Sequence, residues 1–190
     1  IAEYLYRFRG MVVSKDQIVI GAGTEYLYNL LIQFFGKNNI LGVENPGYSK
    51  ISEIYKANNV ACEYISLDQY GLSVSELEKS KANILHISPA HHFPTGIVMP
   101  IHRRQEILNW ANEKDNRYII EDDYDSEFRF TGRPIQTLQS IDKNEKVVYI
   151  NTFTKSIAPT IRISYMVLPP HLMEKFREKL GFYSCTVSSF

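Results

Sequence analysis

Gln17-Ile18-Val19-Ile20 runs straight into Gly21-Ala22-Gly23-Thr24, and Thr24 opens a segment that stays amphipathic as far as Phe35. In it Leu27, Leu30, Leu31, Phe34 and Phe35 recur at i, i+3, i+4, i+7 and i+8, which puts them on one helix face. A β-branched strand, a turn of small residues and a helix thus follow in direct succession. The same alternation continues outward. Further strands are expected at Ile40–Val43, Val60–Ile65, Asn83–Ser88, Arg117–Asp122, Val147–Asn151 and Ile163–Leu168, and further helices at Ser49–Asn58, Ser73–Lys79, Ile101–Lys114 and His171–Leu180. Ile1 already lies inside a helical pattern. Several strands are continuous apolar runs, as expected when both faces of a sheet are covered. The fold class is α/β, with a mostly parallel sheet between helices. The least regular region, Tyr124 to about Lys146, is polar and turn-rich, the kind of strand-end loop that commonly builds a ligand site.

With 190 residues the chain is one domain of ordinary size, and 44% hydrophobic with 22% charged residues excludes a disordered one. Lys plus Arg equals Asp plus Glu at 21 each, which argues against a dedicated nucleic-acid-binding domain within this stretch. It leaves room for one elsewhere on a longer polypeptide. Cys62 and Cys185 make neither a zinc spacing nor a disulfide framework, so a cytoplasmic location is expected. No apolar run approaches the ~18 residues of a membrane span. Neither end has the look of a natural terminus, and the stretch reads as part of a longer protein.

Four segments could carry chemistry. Gly21-Ala22-Gly23-Thr24 is either a tight strand-to-helix turn, capped by Thr24, or a cradle for an anion on free helix amides. Glu121-Asp122-Asp123-Tyr124-Asp125 packs four carboxylates into five residues: a magnesium site, a partner for a cofactor cation or a solvated acidic loop. In Asn151-Thr152-Phe153-Thr154-Lys155-Ser156 the lysine stands among hydroxyls with Arg162 seven residues on, a set that could hold a phosphate beside a reactive amine. Ser88-Pro89-Ala90-His91-His92-Phe93-Pro94-Thr95-Gly96 reads as a rigid loop rather than a metal site, because adjacent histidines rarely face one ion.

In this order, the segments together with Val43-Glu44-Asn45-Pro46-Gly47-Tyr48 and Gly132-Arg133-Pro134 resemble fold-type I pyridoxal-phosphate (PLP) enzymes. More narrowly they are similar to the aminotransferase-like domain of MocR/GabR-type regulators of the GntR group. The run from Glu121 to Phe130 is the most specific part. The resemblance implies a seven-stranded sheet with one antiparallel strand, Ile163–Leu168, in the large domain of that fold. It implies that Lys155 forms the internal aldimine with PLP, that Asp122 pairs with the pyridine nitrogen and that Tyr124 hydrogen-bonds the phenolic oxygen. Tyr48 would lie on the ring face. The phosphate would sit on Gly23 and the amides of Thr24 and Glu25, with Thr152 and Arg162 completing the cradle. No metal is implied.

Phe93 stands where most aminotransferases of this fold carry asparagine, a departure that favours a regulator. The expected function is therefore an effector-sensing domain that holds PLP as an internal aldimine, exchanges that aldimine with an amino acid or amine, and controls DNA binding by a separate winged-helix domain. That domain would precede Ile1, and a small domain would follow Phe190. A homodimer is expected for the full-length protein. The alternatives are a stand-alone aminotransferase with full turnover, and a module that merely binds a phosphorylated ligand.

Overall fold

The computed structural model describes residues 1–124, 136–153 and 162–187. Its sheet holds β1 (Ile18–Gly21), β2 (Ile40–Asn45), β3 (Ala61–Asp68), β4 (Gly71–Leu72), β5 (Ile84–Ile87), β6 (Tyr118–Asp122), β7 (Val147–Thr152) and β8 (Ser164–Val167). The helices are α1 (Ala2–Arg9), α2 (Thr24–Phe35), α3 (Ser49–Ala57), α4 (Val74–Lys79), α5 (Ile101–Asn112), α6 (Leu138–Ile141) and α7 (Pro170–Leu180). All seven expected strands are present. An eighth, β4, is a two-residue edge strand hairpinned onto β3 through a turn too short for any periodic signal.

The strand order is β1-β8-β7-β6-β5-β2-β3-β4. The neighbours from β7 through β6, β5 and β2 to β3 pair parallel, while β8 runs antiparallel to both β7 and β1, as the resemblance implied. The edge strand β4 is antiparallel as well.

Alternate residues of each central strand feed opposite layers. Ile84, Ile120, Val148 and Ile150 join α2, α3 and α7 in one core, through Leu27, Leu31, Tyr55 and Phe176. Leu85, Ile119 and Val147 join α4, α5 and α6 in the other, through Leu77, Ile107, Trp110 and Leu138. A third, smaller core seats α1, through Leu5 and the following Met11, on Tyr149, Tyr165 and Val167. At roughly 2 kcal/mol per buried aliphatic side chain, each layer gains more than its helices could supply alone.

Two local readings are corrected. Thr24 does not cap α2; it is the first helical residue, and Gly23 is the cap at φ +98°, where a side chain would be strained. The polar region after Tyr124 contains α6, a single turn capped by Thr137 and too short for periodicity to reveal. A tertiary contact adds to the cap: the Glu121 carboxylate accepts from the amides of Leu138 (2.8 Å) and Gln139 (3.0 Å).

Candidate active site

Strands β2, β5, β6 and β7 deliver their C-terminal ends to one place, the usual location of a site in an open parallel sheet. A cavity of about 630 Å³ opens there. Gly23, Thr24, Glu25, Tyr48, Asp122, Tyr124, Thr152 and Arg162 all line it. These are the site residues expected from sequence, save one: Lys155 lies outside the described residues, as does the run from Asp125 to Pro134.

At one end α2 presents its first turn, whose amides have no partner within the helix. Arg162 leans over it, with a guanidinium nitrogen 2.7 Å from where a Cβ on Gly23 would stand. Glu25 contributes only its backbone, because its carboxylate pairs with Lys50. That pairing, with Arg162 nearby, holds the Glu25 carboxyl below its ordinary range. Thr152 closes the wall, its Oγ1 accepting from Ser164 Oγ (2.8 Å). Free amides, a helix dipole and a guanidinium make an anion site.

At the other end is Asp122. Tyr28 donates to its Oδ2, and His86 Nε2 stands 3.4 Å from the same oxygen. Tyr55 Oη lies 2.8 Å from His86 Nδ1. One tautomer satisfies every group: Tyr55 donates to Nδ1, and Nε2–H points at the carboxylate. Burial, then the Asp122 charge, pushes both tyrosines well above their ordinary range, so both stay protonated and can donate. Oδ1 of Asp122 is buried and has no hydrogen-bond partner among the described residues. An ionic oxygen left so in a cavity wall is costly unless a ligand donates to it.

Tyr48 and Phe93 stand edge to face over the opening, ring centres 6.0 Å apart. Tyr124 stacks on His91 at 6.2 Å. The two histidines part company: His92 Nδ1 meets Thr95 Oγ1 at 2.7 Å, and its Nε2 lies 3.6 Å from Glu44. Glu44 is in the cavity wall, accepting from the Ser88 amide (3.0 Å). Burial, opposed by that amide and reinforced by Asp122, raises its carboxyl to about 8.

The acidic run divides in the same way. Glu121 secures α6, Asp122 faces the cavity, and Asp123 turns to the opposite side and pairs with Arg9. Three divergent carboxylates do not enclose a magnesium ion. Sequence reading missed Tyr28, Tyr55, His86 and Glu44. His86 had left a signal, as the one polar residue in the buried strand β5.

Residues 1–189 match the family described as aminotransferase class I and II. The chain belongs to that family. It is 42% identical over 188 residues to an HTH-type transcriptional regulator, YdeL, of Bacillus subtilis, covering 99% of this chain and 40% of that one. It is 30% identical to the probable rhizopine catabolism regulatory protein MocR of Rhizobium meliloti, covering 93% of this chain and 36% of that one. Among solved structures it is similar to the kynurenine aminotransferase of Pyrococcus horikoshii in complex with PMP. There the TM-score is 0.84 at 28% identity, over 97% of this chain and 48% of that one. The family member thus spans less than half of each relative. Among its described residues no helix is long and apolar enough to cross a membrane.

Proposed function

We propose that this chain is the PLP-binding, effector-sensing domain of a MocR-type transcriptional regulator. The observation that carries the cofactor is the pairing of an unsatisfied buried Asp122 oxygen with an anion site across one cavity. Those two features suit a protonated pyridine nitrogen and a phosphate on one molecule. When bound, PLP supplies an electron-withdrawing ring joined to an aldehyde that condenses with amines.

The chain's own residues do the rest. Asp122 Oδ1 would accept a hydrogen bond from the protonated ring nitrogen, and Tyr28 with His86 fixes the carboxylate by its other oxygen. The first amides of α2, with Thr152 and Arg162, hold the phosphate. Tyr48 covers the ring face and Tyr124 supplies a phenol to the ring oxygen. Lys155 provides the amine that carries the cofactor until an amino compound replaces it. DNA binding belongs to another part of the full-length protein, which we infer is a homodimer.

The two regulator relatives favour sensing, and Phe93 in the cavity wall agrees with them. The aminotransferase of similar fold supports a second reading, full transamination. Borohydride reduction of the PLP-loaded full-length protein, followed by peptide mapping, should place the label on Lys155. Label elsewhere, or none, overturns the assignment. Amine-dependent change in operator affinity with no sustained keto-acid production supports the regulator; many turnovers support the enzyme.

A further inference from the structure

The helix farthest from the cavity in sequence is tied to it by two separate contacts. Arg9, at the end of α1, is 6% exposed and donates to Oδ2 of Asp123, the residue after Asp122. Tyr149 Oη donates to the same oxygen at 2.6 Å, Asn151 Nδ2 donates to Tyr149 Oη at 2.9 Å, and the Asn151 carboxamide receives the Thr152 amide. One buried string of polar groups therefore runs from α1 to the strand ends that carry Asp122 and Thr152. Independently, the Tyr4 ring of α1 meets Phe153 edge-on at 5.6 Å, and Phe153 follows Thr152 directly. Phe153 in turn packs on Tyr165 at 5.2 Å.

Charge gives the string its consequence. Asp123 is fully enclosed next to a second carboxylate that must stay available to a ligand cation. Arg9 is the cation that balances it among the described residues. With α1 undocked, Asp123 would be left buried without its cation, and the strand ends that carry Asp122 and Thr152 would shift to relieve it. Arg9 Nε and Asp123 Oδ1 have no hydrogen-bond partner among the described residues, so the clasp does not use all the bonds its groups could make.

We propose that Arg9 is a positioning residue for the cavity, and that docking of α1 and occupancy of the cavity reinforce each other. The inference rests on PLP being the occupant. The linkage is reciprocal: if the docked helix improves ligand binding, the ligand must stabilise the docked helix by the same factor. In a regulator this makes α1 an element that registers whether the site is filled.

Hydrogen exchange on the full-length protein, with and without saturating PLP, reads the linkage directly. Exchange of the Leu5–Gly10 amides should slow by roughly fivefold or more on binding. Arg9→Met should weaken PLP about fivefold or more by absorbance titration, and Arg9→Lys, which restores a cation, should recover part of the loss. PLP bound normally with α1 exchange unchanged overturns this inference alone. No PLP binding by the wild type overturns the functional reading and this inference with it. Should Arg9→Met fail to fold by circular dichroism, the wild-type exchange result still decides.

Discussion

At the scale of single residues, the site depends on which way consecutive side chains point. Strand geometry sends Asp122 to one face and Glu121 and Asp123 to the other, so three adjacent carboxylates serve three purposes. Asp122→Asn keeps the shape but removes the charge, and a lost hydrogen bond to a charged group is worth about 1.5–3 kcal/mol. PLP affinity should fall roughly tenfold or more in an absorbance titration. Unchanged affinity would dissociate Asp122 from the ring nitrogen.

Glu44 predicts a pH effect. Its proton is held to about 8 in the folded chain but leaves near 4.5 when unfolded. Its contribution is therefore fully present below 4.5 and lost as pH rises toward 8. Relative to Glu44→Gln, the wild type should lose up to about 1.4 kcal/mol per pH unit across that window in urea unfolding. Parallel pH curves for the two proteins would refute it. Asp122 stood out from the apolar strand before it and Tyr124 through the family resemblance, and both line the cavity. Tyr28 and Tyr55 were not, because tyrosines on amphipathic helices pass for ordinary core.

At the scale of elements, periodicity revealed what is locally determined. The helix α2 was bounded correctly because its apolar face and its glycine start are both in the sequence. The short α6 was invisible to periodicity because it is one turn long and two of its first amides are satisfied by Glu121 on β6. Glu121→Gln should therefore melt α6 while leaving β6 paired, and amide exchange at Leu138 and Gln139 would show it. Equal protection in both proteins would put the helix's origin elsewhere. The α2 turn is sensitive in another way. Gly23→Ala forces a side chain into positive φ beside the Arg162 guanidinium, a cost of about 1–3 kcal/mol. Both thermal stability and phosphate affinity should drop together.

At the scale of the whole molecule, the alternation of strands and helices was enough to give layers and the location of the site, since open parallel sheets bind ligands at their carboxyl ends. What it could not give is the third core under α1, a product of residues from both ends of the chain meeting: Leu5 and Met11 against Tyr165 and Val167. A ligand that binds only the folded form stabilises all of it. At a hundredfold excess over its dissociation constant, PLP should add about 2.7 kcal/mol to the unfolding free energy. A melting temperature indifferent to PLP would contradict binding to the native state.

The pairing of β1 with β8 also has a meaning for biosynthesis. Ile18 finds its partner in Val167, so the strand made early must wait for one made late. At ordinary translation rates of about 5–20 residues per second, that is a delay on the order of ten seconds or more. Until then the apolar edge of β1 and the inner face of α1 have nowhere to go, and a chaperone meeting the nascent polypeptide would find them first. The helix that clasps Asp123 is thus made well before the strand it is seated on.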